Sequence, residues 1–206
     1  MQRYLSKYCS VIVLGLILGG CGILLKPDVK TGIVQLEKGS YKLDQTHAAV
    51  LFKINHMGLS TFVGRFNKVD ATLEFDPANI AAAKLSAVVD VASIDANNAD
   101  LEETLRGRSW LDAEQYPQAF FKTTSVNQLD KDSAIFTGEL TLHGVTAPID
   151  LKVIFNGAAN NMLTGFYTLG FTATSVINRS IFGVDYLVPA IGDQVELEIF
   201  AEFQRQ

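Results

Sequence analysis

Gln194-Val-Glu-Leu-Glu-Ile-Phe-Ala-Glu-Phe203 alternates apolar and acidic residues along almost its whole length. Val195, Leu197, Ile199, Ala201 and Phe203 fall on one face, and Glu196, Glu198 and Glu202 on the other. Successive strand side chains point to opposite faces, so this stretch reads as a half-buried β-strand. The same period recurs upstream. Val50 to His56 puts Val50, Phe52 and Ile54 together against Lys53 and Asn55, and Ala71, Leu73 and Phe75 alternate with Thr72, Glu74 and Asp76. Leu85 to Ile94, Phe120 to Val126, Ile135 to Leu142, Ile149 to Phe155 and Leu163 to Ser175 continue the series. Asp76-Pro77, Asp130-Lys-Asp132, His143-Gly144, Asn156-Gly157 and Asn160-Asn161 supply turn chemistry between them. One helix is predicted over Asn97 to Leu105, capped by Asn97 or Asn98 and acidic in its first turn. The fold class is therefore all-β with minor α. About eight antiparallel strands suggest a closed barrel, because closure removes exposed edges. Pattern alone leaves a packed barrel or sandwich open beside a hollow one. Gly58, Gly64, Gly138, Gly165, Gly170 and Gly183, within or beside strands, mark bends and absent side chains that permit a cavity.

The chain opens with Arg3 and Lys7 and no acid, followed by the apolar run Val11 to Leu18 and then Gly19-Gly20-Cys21. That run is too short to cross a bilayer, which takes roughly 20 apolar residues. It has the form of an export signal over residues 1–20. Cys21 directly after two glycines gives it the look of a lipoprotein signal, in which Cys21 becomes the lipidated first residue. Residues 21–39 then read as a tether and residues 40–206 as the folded domain. Loss of residues 1–20 removes two basic residues and no acid, so the net charge of −5 falls to −7. An acidic chain without a basic run is a poor nucleic-acid partner. Cys9 leaves with the signal and Cys21 would carry lipid, so no thiol remains for a disulfide, a metal or a nucleophile.

Catalytic chemistry finds little support. His143 precedes Gly144 in a turn and reads as exposed or turn-bonded. His47 and His56 are nine residues apart, which places them on opposite faces of an unbroken strand, so no metal site is expected. No Gly-x-Ser-x-Gly elbow is present. Asp44 lies three residues before His47, but a carboxylate–base pair without a nucleophile is not a mechanism. Asp95, Asp100, Glu102 and Glu103 read as a solvated helix face. No enzyme activity and no cofactor are expected. Two further stretches, His56 to Phe66 and Ile177 to Val184, each set an arginine among aromatics and glycines near a strand end. Such an arginine either binds an anionic group or pairs with a neighbouring acid or ring.

At these residues the chain resembles the YceI-like family of polyisoprenoid-binding periplasmic proteins. The resemblance is carried by Tyr41-Lys-Leu-Asp44-x-x-His47, Phe52-x-x-x-His56-x-Gly58, Gly64-x-Phe66 and Ser93-Ile94. Further along come Tyr116-Pro117-x-x-x-Phe121, Gly138-x-Leu140-Thr-x-x-Gly144-Val-Thr and Asn178-Arg179-x-x-Phe182-Gly183. Ser109-Trp110-Leu111-Asp112 stands where many members carry two phenylalanines and an aspartate. The resemblance implies a lipocalin-like eight-stranded barrel around an apolar tunnel for an isoprenoid chain. It implies tunnel-lining roles for Phe52, Ile54, Phe62, Phe66, Leu73, Phe121, Leu140 and Phe182. His56, Arg65, Asn178 and Arg179 would serve at the head-group end.

The expected function is that of an envelope lipoprotein that binds and sequesters or carries an amphiphilic isoprenoid lipid, either a quinone or an isoprenyl phosphate. It would sit at the periplasmic face, held to the membrane through Cys21; Gly22 rather than Asp after the cysteine favours the outer membrane by analogy with enteric sorting. The alternative is a non-enzymatic stress or assembly factor with a packed barrel acting through protein contacts. Oligomeric state is open, a homodimer included.

Overall fold

The computed structural model describes residues 28–32 and 36–206, so the export signal and Cys21 lie outside the described residues. Ten strand segments make one sheet: β1 (Gly39–His56), β2 (Ser60–Phe66), β3 (Val69–Phe75), β4 (Lys84–Asp90), β5 (Ile94–Asp95), β6 (Gln118–Gln128), β7 (Ser133–Leu142), β8 (Val145–Asn160), β9 (Tyr167–Asn178) and β10 (Ile191–Arg205). Among the described residues one α-helix, α1 (Ala99–Arg106), separates β5 from β6. The spatial order is β10-β9-β8-β7-β6-β4-β3-β1-β2-β5, and pairing of β10 with β1 closes the ring. β1 pairs with β3 over residues 39–42 and with β2 over residues 50–56. β2 and β3 are thus halves of one bent strand, as are β4 and β5 across the 3-10 turn Val91–Ser93. The molecule is a closed eight-stranded antiparallel barrel with one short helix.

Register fixes which side chains point inward, because directly opposed residues share a face. Val50 faces Phe66 and Ile199, Phe52 faces Gly64 and Leu197, and Ile54 faces Phe62 and Val195. Around the ring, Leu140 faces Phe121, and Leu73 faces Tyr41. The strand directions gather two sets of connections. The closed end carries chain entry and the β3–β4, β6–β7 and β8–β9 turns. The opposite end, the mouth, carries the β1–β2 and β7–β8 turns, the β9–β10 connection and α1. Packing is densest toward the closed end, where Tyr41 and Leu169 are 1% and 0% exposed among Leu73, Phe136, Phe155 and Phe203.

Several sequence expectations change at element boundaries. Leu163 to Phe166 is not strand. Asn161 Oδ1 accepts bonds from the backbone N–H groups of Leu163 and Thr164, and Gly165 takes φ +75°, so the chain turns and β9 starts at Tyr167. Asn156-Gly157 is a bulge inside β8 rather than a turn. The run Leu85 to Ile94 breaks where the Asp90 side chain accepts from the Ala92 N–H and caps the 3-10 turn. Asn98 is the helix cap and accepts from the Leu101 N–H at 3.1 Å. The fold also begins before residue 40. Lys30 exchanges two backbone bonds with Ala158, at 2.7 and 2.8 Å, and Leu36 joins the core.

Two glycines act differently from the expectation that they leave free room. A Cβ on Gly64 would overlap the Phe52 ring, and one on Gly138 would overlap the Phe121 ring and the Lys122 carbonyl. The missing side chains let these aromatic rings lie flat on the inner wall.

Candidate functional site

The lumen is the one surface where many predicted site residues converge. On the alternating inward positions of β1 and β2 near the mouth stand Val50, Phe52, Ile54, Phe62, Gly64 and Phe66. The inward positions of β7 to β10 are Ala134, Phe136, Gly138, Leu140 and Leu142; Ala147 to Phe155 at every second residue; Tyr167 to Ile177 likewise; and Val195 to Phe203 likewise. None of these is charged. Toward the mouth Phe52, Ile54, Phe62, Phe66 and Leu140 are only half-buried, although register turns them inward. Leu73 and Phe121 are buried deeper, and Phe182, within the β9–β10 connection, is 1% exposed. Seven of the eight thus occupy inward strand positions, half-buried toward the mouth and more deeply buried below it, whereas Phe182 belongs to the 3-10 turn Arg179–Phe182. A crevice of about 40 Å³ lies between Leu36, Phe75, Phe136 and Phe171 at the packed closed end.

The four head-group candidates do not converge. His56 lies at the rim in register with Ser60 and on the lumen face. Arg65 alternates with the inward Gly64 and Phe66, so it faces outward, opposite Asp95 of β5. Asn178 is likewise exposed on the outer face. Arg179 is the clear correction. It is 4% exposed, and its guanidinium donates to four backbone carbonyls: Gly192 through Nε, Val184 through Nη1, and Tyr186 and Ile191 through Nη2. Its charge also lies 5.5 Å from the centre of the Trp110 ring, which packs edge-on against Tyr186. Burial pulls the Arg179 pKa below its ordinary value, while Asp193 and Asp185 oppose that shift. Arg179 therefore builds the mouth loop and has too few free N–H groups to clamp a head group. Trp110, at the position that departs from the family pattern, braces the same loop. His143 does so from the far side, with Nδ1 at 3.2 Å from the Phe182 carbonyl and its ring against Tyr116.

Asp44 and His47 lie on the outside, at the bulge that interrupts β1–β10 pairing between Leu43 and Ala48. Asp44 Oδ1 accepts from the Thr46 N–H and hydroxyl, while Oδ2 meets His47 Nδ1 at 2.9 Å and the Gln204 amide at 2.7 Å. These bonds, the Thr46 hydroxyl foremost, hold the Asp44 carboxyl below its usual range, and the Asp44 bond raises His47. Glu202 brings a third donor within 4.8 Å of both, a member that adjacency in sequence could not reveal because it comes from β10. Asp44 has no idle lone pair in this arrangement, so the cluster reads as a clasp across the β1–β10 seam.

A YceI-like domain is matched across residues 41–203. The chain belongs to the YceI-like family. A UPF0312 protein of Vibrio cholerae is 37% identical over 156 residues, covering 76% of this chain and 81% of that one. One from Pseudomonas syringae pv. syringae is 35% identical over 182 residues, covering 87% and 88%. Among solved structures, Burkholderia cenocepacia BcnA is 25% identical with a TM-score of 0.71, covering 78% of this chain and 98% of that one. The Campylobacter jejuni YceI protein is 28% identical with a TM-score of 0.66, covering 75% and 91%. A polyisoprenoid binding domain of Saccharophagus degradans shares the fold at 14% identity and a TM-score of 0.61, covering 82% and 100%.

Proposed function

We propose that this YceI-like protein binds an isoprenoid lipid in its barrel lumen and sequesters or carries it within the envelope, held to the outer membrane through lipidated Cys21. The observation that carries this reading is the inner wall: an uncharged apolar lining, half-buried toward an open mouth and packed at the far end. A solidly packed barrel would bury those phenylalanines as fully as Leu169. Each methylene moved from water onto such a wall contributes about 0.8 kcal/mol. A few isoprene units therefore bind without head-group help, and discrimination between tails is weak, at ~1–3 kcal/mol per methylene. The polyisoprenoid binding domain that shares the fold supports the same ligand class.

Native mass spectrometry of the full chain taken from its membrane fraction, followed by solvent extraction, tests this. The expected result is an adduct whose extracted mass fits an isoprenoid quinone or isoprenyl phosphate. Apo protein that stays apo after incubation with both would overturn carriage and turn the search to protein partners.

A further inference from the structure

Among the buried side-chain polar atoms of the described residues, Ser175 Oγ and Tyr167 Oη have no hydrogen-bond partner. Tyr167 lies at the closed end beside Glu37, whose backbone and charge both act on it. Ser175 has no such company. It is 8% exposed and sits on the inward face of β9 between Ala173 and Ile177, with Leu197 directly opposite on β10. The inward face of β8 places Leu151 on its other side. Thr123, a second hydroxyl on the inner wall, is satisfied by the Leu85 backbone. Leaving a buried hydroxyl unpaired costs roughly 1–3 kcal/mol, and alanine would fill the same position without that penalty.

We infer that Ser175 Oγ is the hydrogen-bond donor for an uncharged acceptor on the lumen ligand, such as a quinone carbonyl. This rests on the lipid-binding reading above and adds to it the chemistry of the head. Ser175 is three residues from Asn178 at the rim, about 10 Å down the strand at roughly 3.3 Å per residue. The acceptor therefore enters the barrel rather than resting at its mouth. Among the described residues the inward positions of β1 and β7 to β10 carry no cation, Lys53 and Lys152 lying on the outer face, and a buried phosphate without a counter-charge is strongly disfavoured. A neutral acceptor needs only the one donor that is present. Ser175 is thus a specificity determinant: the tail supplies affinity, and the hydroxyl selects a carbonyl-bearing head over a bare hydrocarbon or a phosphate.

The test measures binding of three probes to the full chain through Trp110 fluorescence: a four-isoprene benzoquinone, a C20 isoprenoid hydrocarbon and geranylgeranyl phosphate. The wild type is expected to favour the quinone. Ser175→Ala should weaken the quinone roughly three- to tenfold, as expected for one hydrogen bond, and leave the hydrocarbon within about twofold. Ser175→Thr, which keeps the hydroxyl, should restore most of the preference. Equal quinone affinity in wild type and Ser175→Ala, or equal loss of quinone and hydrocarbon, overturns the inference while lipid binding stands. Tighter binding of the phosphate than of the quinone overturns it as well. If none of the three binds the wild type, the lipid-binding reading falls and the role of Ser175 falls with it.

Discussion

Arg179 gathers the carbonyls of Val184, Tyr186, Ile191 and Gly192 into one fork, more bonds to the β9–β10 connection than Trp110 or His143 supplies. Arg179→Ala would leave those acceptors without their donor in a partly dry site, where each unpaired group costs about 1–3 kcal/mol. A loss of at least ~3 kcal/mol in urea unfolding is the expected result, with Arg179→Lys recovering only part because an ammonium cannot match the planar fork. A loss under about 1 kcal/mol would show that the loop stands without it. At Asp44 and His47 the expectation concerns protons. His47 is raised in the folded protein, so its contribution to stability is complete below its unfolded value and fades as pH climbs through its folded one. Asp44 is lowered, so its contribution is present above its unfolded value and fades as pH falls through the folded one. The clasp is therefore tightest between those two titrations. NMR should place the His47 midpoint above 6.5 in the wild type and closer to it in Asp44→Asn; an unmoved midpoint would deny the pair. What sequence could show of these residues was their type and neighbourhood. Sequence leaves Arg179 as either an anion binder or the partner of an acid or ring because its four carbonyl acceptors come from a loop without pattern, and Ser175 reads as one more strand serine because only closure of the barrel removes its partners.

Strands were legible wherever one face was apolar, since inside-out alternation is a direct consequence of a half-buried pleat. Their interruptions were not. The β8 bulge at Asn156-Gly157 has the chemistry of a hairpin turn, and only the long pairing of β8 with β7 and β9 keeps the chain running on through it. The glycines make the same point about context. Gly138 and Gly170 look alike in sequence, yet a Cβ on Gly138 meets a ring and a carbonyl inside contact distance, whereas one on Gly170 meets its nearest neighbour at an ordinary 3.6 Å. Gly138→Ala is expected to destabilise by about 1–3 kcal/mol through overpacking, and Gly170→Ala to stay within about 0.5 kcal/mol. Paired denaturant titrations decide it, and equal effects would mean that Phe121 moves freely off the wall. The helix was placed within two residues because its cap is local. Asn98→Ala should remove about 1 kcal/mol, the usual value of an N-cap bond.

At the scale of the molecule, closure gives the chain two unlike ends, and the proposed anchor belongs to the wrong one for direct loading. Lys30 is bonded to Ala158 near the β8–β9 turn, on the closed-end side. From Cys21 to Lys30 is nine residues, a span of at most about 30 Å even fully extended. The proposed lipid on Cys21 would therefore hold the packed end near its leaflet, while the mouth, framed by the exposed Met57, Leu59, Ile181 and Leu187, opens at the other end of the barrel. Under the proposed anchoring, such a geometry would favour exchange with a surface facing the mouth over exchange with the anchoring membrane itself. Inserting about 15 flexible residues after Pro27 would let the mouth swing down to its own leaflet and raise the effective concentration of lipid there. Loading of a quinone from the vesicle that carries the anchor should then quicken several-fold, while loading from separate vesicles stays as it was. If the insertion leaves both rates unchanged, the short tether already permits the mouth to reach its own membrane, and the polarity of the barrel has no bearing on where its ligand comes from.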